Sequence, residues 1–239
     1  MNLVIDYGNS AAKVGIFDHQ NLMEKITFAT PDDLRNFLKT SVAENVLVSS
    51  VKEDANLVLT WAVQAKNKFR LDYNFPLPIT NHYGTPQTLG VDRLAGVCGA
   101  REIFPMQHCL VIDAGTCITY DFIDKDGVFL GGGISPGLSM RFKAVHNFTA
   151  KLPLVSAKAE VPLIGNSTES CIQSGVVNGV LEEIEGIIRQ YQQKFEGLRV
   201  ILCGGDARFF ENKVKGSIFA VPELVLSGLN SILIHNVSR

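Results

Sequence analysis

The chain has 239 residues, of which 46% are hydrophobic and 19% charged, a balance typical of a globular protein with room for one large domain or two smaller ones. Its 22 Lys and Arg and 24 Asp and Glu leave a formal charge of −2, which gives no general attraction for nucleic acid or an anionic membrane. Without a basic leader or an apolar run long enough to span a bilayer, the sequence predicts a cytoplasmic protein with no membrane or nucleic-acid partner.

The first half of the chain predicts three short strands followed by alternating helices and strands. Thr30 can cap the first helix, and Pro31 suits the first position of that helix. Residues 75–86 contain too many chain breakers for regular structure, so we expect a surface loop there. The predicted strands are 3–7, 12–17, 23–28, 45–51 and 69–73. One predicted helix begins at residue 31, and two others cover residues 53–66 and 90–105.

The second half repeats the opening of three strands and then alternates helix and strand. Five scattered cysteines show no CxxC spacing and lie mostly in apolar runs, so we expect buried free thiols rather than a zinc site or a redox pair. The predicted strands are 109–112, 118–123, 128–132 and 199–203, and the predicted helices are 138–148, 167–194, one that begins at 204–207, and 223–235.

Nearly the same eight letters occur twice, as LVIDYGNS at 3–10 and as LVIDAGTC at 110–117. Each copy is an apolar run that ends in an aspartate and a glycine turn, which predicts a β-hairpin with a carboxylate at its bend. Two such hairpins facing each other would bring Asp6 and Asp113 near one point, where a cation and a polyphosphate could lie between backbone amides. The repeat favours a nucleotide site; the alternative is a plain hairpin whose aspartate bonds its own turn amides.

The residues after each aspartate suit phosphate binding. Gly8 permits a tight turn whose amides could face a phosphate, and Lys13, one strand later, carries a charge able to reach it. In the second copy, Thr116 offers a hydroxyl and an amide to a phosphate oxygen. The letters GGD at 204–206 follow a strand and open a helix, where nucleotides often lie, although paired glycines alone commonly make only a tight turn.

The segment LGVDRLAG at 89–96 places Asp92 and Arg93 in the first turn of a helix. Asp92 could act as the base for a substrate hydroxyl, and Arg93 could bind a substrate carboxylate with its guanidinium. The alternative is that Asp92 only complements the helix dipole and Arg93 lies on a solvated face.

The two DxG hairpins resemble those of the actin, sugar kinase and Hsp70 superfamily. In order and spacing, DYGNSAAK, the loop 83–86, LGVDRLAG, DAGTCIT, GGGISPG, STESCIQSG and CGGDA resemble type III pantothenate kinase. The resemblance implies an α/β fold of duplicated ribonuclease H-like (actin-like ATPase) domains, each a mixed five-stranded sheet flanked by helices, with a central cleft. The implied N-terminal domain, 1–105, carries the first phosphate hairpin and the acceptor-substrate loop; the C-terminal domain, 106–239, carries the second hairpin and an adenosine loop.

The same resemblance implies ATP-dependent phosphorylation of the primary hydroxyl of pantothenate to 4'-phosphopantothenate, the first step of coenzyme A biosynthesis, by a homodimer whose second subunit completes the substrate pocket. Asp92 would be the catalytic base. Asp6 would hold Mg²⁺ through water, and Asp113 would hold K⁺ or NH₄⁺. The implied ATP-binding residues are Asp6, Tyr7, Gly8, Asn9, Ser10, Ala11, Ala12, Lys13 and Thr116, and the implied pantothenate-binding residues are Tyr83, Gly90, Val91, Asp92, Arg93 and Thr168.

Two positions depart from the family pattern. Ser10 stands where the family usually has threonine and Cys117 where it usually has alanine; both residues are small and should leave the loops intact. A related kinase acting on a sugar or an acyl acid would share both hairpins but should lack LGVDRLAG and STESCIQSG. A non-catalytic regulator would be expected to lose Asp6, Asp92 or Asp113, and the chain retains all three.

Overall fold

The computed structural model describes residues 1–237, which divide into two compact units. Unit 1 comprises Met1–Met106, Ile123–Leu130 and the chain from Glu223 onward. Unit 2 comprises Gln107–Phe122 and Gly131–Pro222. No helix within residues 1–237 has the length and apolar character needed to cross a membrane.

Unit 1 is built on a five-stranded sheet with the order β3-β2-β1-β4-β5. The central strand β1 runs antiparallel to β2 and parallel to β4, so the sheet is mixed. The elements are β1 (Asn2–Tyr7), β2 (Ala12–Asp18), β3 (Asn21–Phe28), α1 (Pro31–Thr40), β4 (Asn45–Ser50), α2 (Ala55–Trp61) and β5 (Asn67–Arg70). Along the chain, helix α1 lies between β3 and β4, and helix α2 lies between β4 and β5.

Both faces of this sheet are covered, because successive side chains of a strand point to opposite faces. Leu3 and Ile5 of β1 belong to a core cluster with Leu34 of α1. Val4, between them, belongs to a different cluster, formed with two helices later in the chain, α3 (Val91–Ile103) and α7 (Leu224–Val237). This double burial explains why β1 is an almost continuous apolar run rather than an alternating one.

Helices α3 and α7 pack against each other through glycines. A Cβ atom on Gly228 would overlap the carbonyl group of Ala95, and one on Gly99 would lie 3.2 Å from the backbone nitrogen of Gly228 and overlap the carbonyl oxygen of Leu224. The two backbones therefore approach more closely than any larger residue would allow at these positions. The contact fixes α3 and α7 together on the Val4 face of the sheet.

A second sheet has six strands in the order β11-β10-β7-β8-β9-β6. Strand β10 runs parallel to β7 and to β11. In unit 2, apolar residues of β7 pack against one face of the long helix α5. The elements are β6 (Thr80–Asn81), β7 (Cys109–Ala114), β8 (Cys117–Ile123), β9 (Val128–Pro136), α4 (Leu138–Asn147), α5 (Thr168–Lys194), β10 (Arg199–Cys203), α6 (Ala207–Phe210) and β11 (Ile218–Ala220).

Most predicted elements are confirmed, and so is the cap of α1, where the side-chain oxygen of Thr30 accepts a hydrogen bond from the backbone nitrogen of Asp33 at 3.2 Å. The prediction for α2 is wrong in length, since the helix ends at Trp61 rather than near 66. The reason is that the backbone nitrogens of Lys66 and Asn67 both donate to the carbonyl oxygen of Glu44, which starts β5 two residues before its predicted position.

Three short elements were not predicted. Strand β6 and a 3-10 turn at Pro86–Thr88 lie in the segment expected to be irregular, and β11 follows a region with no strand pattern. Because β6 joins the second sheet, that sheet has one strand more than the five expected. All five cysteines are free, but burial was predicted wrongly for Cys171, which is exposed, and only in part correctly for Cys117, which is half-buried.

The glycine contact between α3 and α7 predicts a large cost for adding one methyl group. Gly228→Ala is expected to lower the free energy of unfolding by about 1–3 kcal/mol, because the new Cβ forces two packed backbones apart. Gly179→Ala is the matched control, since a Cβ there meets nothing within 4 Å on the exposed side of α5; it should leave stability unchanged or raise it. Urea unfolding of both variants measures the difference, and equal stability of Gly228→Ala and wild type would contradict the packing argument.

Candidate active site

The first hairpin joins β1 to β2 and carries the predicted phosphate residues 6–13. The backbone nitrogen of Gly8 donates to the carbonyl oxygen of Ala11 at 3.2 Å, closing the turn. Asn9 and Ser10 at its tip are exposed, so the turn is accessible to a ligand. Asp6 lies opposite Lys13 in the register of β1 and β2, which brings the predicted carboxylate and the predicted cation onto neighbouring strands.

The residues of this hairpin lie on two different faces of the sheet. Tyr7 and Ala12 are buried in the cluster that packs under α1 and α2, and burial together with the charge of Glu53 raises the pKa of Tyr7. Asp6 and Lys13 occupy alternate positions and therefore belong to the other face, the one that α3 and α7 cover. The side chains of Tyr7 and Ala12 thus serve the core, which leaves their predicted role in ATP binding to main-chain atoms.

The predicted acceptor residues lie at the start of α3. Gly90 is the N-cap residue, and the backbone nitrogen of Arg93 donates to Oδ1 of Asp92 at 2.9 Å. A Cβ on Gly90 would overlap Oδ1 of Asp92, so the glycine leaves room for the carboxylate. Asp92 is half-buried in the first helical turn, where the helix dipole favours a negative charge.

Tyr83 and Arg93 lie together, as the predicted acceptor site requires. The guanidinium carbon of Arg93 is 5.5 Å from the centre of the Tyr83 ring, and Arg93 is only 9% exposed. Phe129 is a second neighbour of Tyr83, and its ring is nearly parallel to that of Tyr83 at a centroid distance of 6.1 Å. The backbone nitrogen of Tyr83 also donates to the side chain of Asn81 at 3.0 Å. The burial of Arg93 excludes the alternative of an arginine on a solvated face.

Phe129 and Asn81 were missed by sequence reasoning, because Phe129 contacts Tyr83 from a distant position in the chain and Asn81, two residues before Tyr83, lies in the segment expected to be irregular. Both residues belong to the pairing of β6 with β9, where Asn81 is the register partner of Phe129. A two-residue strand inside a proline-rich loop gives no periodicity to detect. Its effect is to hold the loop that carries Tyr83 against a strand of the second sheet.

In unit 2, the GGGISPG and CGGDA segments both contact the second hairpin. The turn between β7 and β8 is closed by the backbone nitrogen of Gly115, which donates to the carbonyl oxygen of Cys117 at 3.0 Å. The GGGISPG segment reaches it through Gly137, whose nitrogen donates to the carbonyl oxygen of Thr116 at 3.1 Å. The CGGDA segment reaches it through Asp206, whose nitrogen donates to the carbonyl oxygen of Ala114 at 2.8 Å.

Close backbone approach makes the glycines of these motifs necessary. A Cβ on Gly204 would overlap the carboxylate of Asp113 and the carbonyl of Ala114, and the φ of Gly204 is +94°. A Cβ on Gly137 would overlap the carbonyl oxygens of Gly115 and Thr116. Burial raises the pKa of Asp206 in this crowded place. Gly115 and Gly204 thus bring main chain close to the strand-end carboxylate of Asp113.

Thr168, the remaining predicted substrate residue, is the first residue of α5. Ser167 caps this helix by a reciprocal pair of hydrogen bonds with Ser170. The two residues open onto a groove of about 790 Å³. The groove is lined by Leu152, Gly165, Asn166, Ser167, Thr168, Cys171 and Ile172. Within residues 1–237, no group of three or more His, Cys, Asp or Glu residues has the arrangement of a metal site.

A network around Glu183 of α5 was also missed by sequence reasoning. The carboxylate of Glu183 accepts hydrogen bonds from the hydroxyls of Tyr120 at 2.9 Å and Ser135 at 2.5 Å, and pairs with Arg141 at 2.5 Å. Burial alone would raise the pKa of Glu183, but these donors outweigh it and hold that pKa below its ordinary value. Burial, and after it the hydrogen bond to Glu183 and the charge of that carboxylate, raise the pKa of Tyr120.

The network holds the GGGISPG segment in place. Ser135 belongs to that segment, and Arg141, on α4 just beyond it, also donates to the carbonyl oxygen of Pro136 at 2.8 Å. Gly137, next in the chain, is the residue that contacts the Gly115–Thr116 turn. Glu183 therefore supports the second phosphate turn indirectly, through two hydrogen-bonded neighbours.

Solved structures of similar fold define the class of protein. A Campylobacter jejuni protein described as a Baf family transcriptional activator has a TM-score of 0.66 at 23% identity, with 99% of this chain and 100% of that chain covered. A Listeria monocytogenes protein described as an N-acetylmannosamine kinase has a TM-score of 0.54 at 12% identity, with 99% of each chain covered. At these identities the likeness concerns the fold alone, and it confirms the predicted α/β fold of duplicated actin-like domains.

Sequence comparison then identifies the family. A family profile described as type III pantothenate kinase matches residues 2–190. A type III pantothenate kinase of Phocaeicola vulgatus is 47% identical over 239 residues, 99% of each chain, and one of Christiangramia forsetii is 45% identical over 244 residues, the whole of both chains. The chain belongs to the type III pantothenate kinase family, as its motifs predict.

The Glu183 network predicts a pH-dependent loss of stability. Glu183→Gln is expected to lower the free energy of unfolding by about 1–2 kcal/mol at neutral pH, because the half-buried Arg141 loses its counter-charge. Since the pKa of Glu183 is lowered on folding, its contribution is complete above the ordinary pKa of 4.5 and is lost as pH falls through the folded value. The difference between variant and wild type should therefore stay constant from neutral pH down to pH 4.5 and shrink as the pH falls further.

Urea unfolding at several pH values measures this effect. Glu182→Gln is the matched control, because Glu182 is exposed on the neighbouring position of the same helix; this variant should track wild type throughout. A stability difference for Glu183→Gln that is constant across the pH range would show that the charge of Glu183 is not responsible.

Proposed function

We propose that this protein transfers the terminal phosphoryl group of ATP to the primary hydroxyl of pantothenate, giving 4'-phosphopantothenate, the first step of coenzyme A biosynthesis. Membership of the family supports the reaction. The observation that carries the proposal is the cluster of Tyr83, Asp92 and Arg93, which gathers a carboxylate, a buried guanidinium and an aromatic ring at one helix start. These groups match an acceptor that has both a carboxylate and a hydroxyl.

Arg93 binds the pantothenate carboxylate in this proposal. A guanidinium can hold a carboxylate through two parallel hydrogen bonds, and a buried pair is screened little by water. Tyr83 stacks against the guanidinium and limits the directions in which it can point. Gly90 and Val91 supply the adjoining main chain of the helix start, and Thr168 of unit 2 is a further pantothenate contact.

Asp92 accepts the proton of the acceptor hydroxyl as the phosphoryl group is transferred. One of its oxygens is already held by the backbone nitrogen of Arg93, so the carboxylate has a fixed orientation relative to the group that binds the substrate carboxylate. Fixing base and anchor on consecutive residues of one helical turn sets the distance between the two substrate groups they contact.

The two hairpins bind the nucleotide. The turn after Asp6 and the hydroxyl of Thr116 contact ATP phosphates, and Lys13 offsets their charge, as the loose transition state of phosphoryl transfer requires. Mg²⁺ is commonly held by one or two carboxylates with substrate phosphates and water, which the single carboxylate of Asp6 fits. Asp113, with the main chain of Gly115 and Gly204 close by, suits a monovalent cation, K⁺ or NH₄⁺, whose role would be to neutralise phosphate charge.

The protein acts in the cytoplasm as a homodimer in this proposal, with domains at 1–105 and 106–239. Large apolar side chains of unit 2 support the second subunit: Leu163 and Ile164 are 82% and 83% exposed and directly precede the groove at Thr168. Exposed apolar groups beside a groove are typical of a surface covered by another chain. A second subunit at this place would complete the substrate pocket.

The proposed reaction is tested by incubating the protein with pantothenate, ATP, Mg²⁺ and K⁺ and measuring phosphopantothenate by mass spectrometry. Product is expected, and replacing K⁺ by Na⁺ should reduce its rate of formation sharply, because the Asp113 site would lose its fitting cation. ATP binding without product would refute pantothenate as the acceptor, while equal rates in K⁺ and Na⁺ would refute the cation role of Asp113.

Asp92→Asn isolates the proposed base. Turnover is expected to fall by roughly 10²- to 10⁴-fold, because the amide keeps the shape of the side chain but accepts no proton. Asp32→Asn is the matched control, since it makes the same change in the first turn of another helix, α1, and should leave turnover unchanged. Circular dichroism verifies that both variants are folded, and near-normal turnover in Asp92→Asn would contradict the assignment.

A further inference from the structure

The serine at position 49, near the end of β4, is buried without a hydrogen bond. It is 1% exposed, and its hydroxyl oxygen has no hydrogen-bond partner among the described residues. Nearly all buried polar groups in proteins are paired, because leaving one unpaired forfeits its hydration with nothing in return. An unpaired buried hydroxyl therefore points to a partner that is acquired in another state of the molecule.

The position of Ser49 in the sheet indicates which partner this is. Strands β1 and β4 are parallel, and Ser49 is the register partner of Asp6, which is itself opposite Lys13 of β2. Register partners on adjacent strands share a face of the sheet. Lys13, Asp6 and Ser49 therefore form one row across three strands.

Core packing independently assigns this row to a face. Leu47, two residues before Ser49, and Val4, two residues before Asp6, both belong to the cluster that α3 and α7 cover. Val46 and Val48 belong to the cluster on the opposite face. Ser49 thus lies on the face of the sheet that carries Lys13 and Asp6, the positively charged side chain and the carboxylate of the predicted phosphate site.

The neighbouring serine shows what a purely structural hydroxyl looks like here. Ser50 lies on the opposite face, beside Tyr7 in the register. Its hydroxyl donates to the carbonyl oxygen of Glu53 at 2.7 Å and accepts from the nitrogen of Glu53 at 3.1 Å, closing the turn that follows β4. The two adjacent serines therefore differ. The hydroxyl of Ser50 completes a local turn, whereas the hydroxyl of Ser49 lies beside Asp6 without a hydrogen-bond partner.

We infer that Ser49 is a positioning residue for the nucleotide site, whose hydroxyl donates a hydrogen bond to the carboxylate of Asp6 when ATP and Mg²⁺ are bound. This inference rests on the proposed role of Asp6. A rotation about a single side-chain bond is enough to redirect a serine hydroxyl. A hydrogen bond to a charged carboxylate, away from water, is about twice as strong as one between neutral groups, so it would hold Asp6 in the orientation that the hydrated cation requires.

Ser49→Ala and Ser50→Ala together test the inference, because the two substitutions make the same chemical change on opposite faces of one strand. For each variant and wild type, the measurements are thermal unfolding without ligand, the dissociation constant of ATP with Mg²⁺ by calorimetry, and the Mg²⁺ concentration that gives half-maximal turnover. Ser49→Ala should weaken ATP–Mg²⁺ binding and raise the half-maximal Mg²⁺ concentration by roughly 10-fold, the loss expected for one hydrogen bond to a charged group.

Stability without ligand separates positioning from a structural role. Ser49→Ala should unfold at the wild-type temperature or above it, since it removes an unpaired hydroxyl, whereas Ser50→Ala should unfold at a lower temperature and keep wild-type ATP–Mg²⁺ binding. Unchanged binding and Mg²⁺ dependence in Ser49→Ala would overturn the inference, whatever its stability. Wild-type protein that binds ATP–Mg²⁺ but makes no phosphopantothenate would count against the proposed function and leave the binding comparison decisive for Ser49.

Discussion

The close contact between α3 and α7 is the constraint on which unit 1 depends. Gly99 and Gly228 let two helix backbones meet where any side chain would force them apart. The contact joins a helix from the middle of the chain to its last helix, and the pair covers the sheet face that carries Asp6. Since α3 begins with the Gly90–Arg93 segment, the packing that closes the core also sets the place of the acceptor residues. Stability and function are therefore linked through one helix.

In unit 2, glycines allow close backbone contact at a turn, as they do between two helices in unit 1. Gly137 and Gly204 bring two distant segments of main chain against the turn after Asp113, where a Cβ would collide with backbone oxygens. Main-chain groups thus lie close to a strand-end carboxylate, a setting suited to cations and phosphates. The Glu183 network holds one of these segments from behind.

Buried polar groups show how the proposed site differs from the rest of the core. The buried asparagines Asn2, Asn45 and Asn230 bond one another in a chain, which satisfies them locally. Arg93 is buried beside an aromatic ring, and Ser49 is buried with its hydroxyl unpaired. A core selected for stability alone would pair or replace such a group, because an unmade buried hydrogen bond lowers stability. Arg93 follows Asp92 in the chain and Ser49 lies beside Asp6, so both are next to residues of the proposed site.

The sequence by itself determined the two strand–aspartate–glycine hairpins, the cap of α1, most helices and strands, and the family, because these depend on local patterns and on the identity of short motifs. Only the tertiary structure decided which face of the sheet each hairpin residue occupies, so that Tyr7 enters the core while Asp6 does not. It also decided the contacts of Phe129 and Glu183 and the place of Ser49 beside Asp6. Each of these residues lies next to one that is distant in the chain, and such pairings arise from strand register and helix packing, which leave no periodic trace in the sequence around either partner.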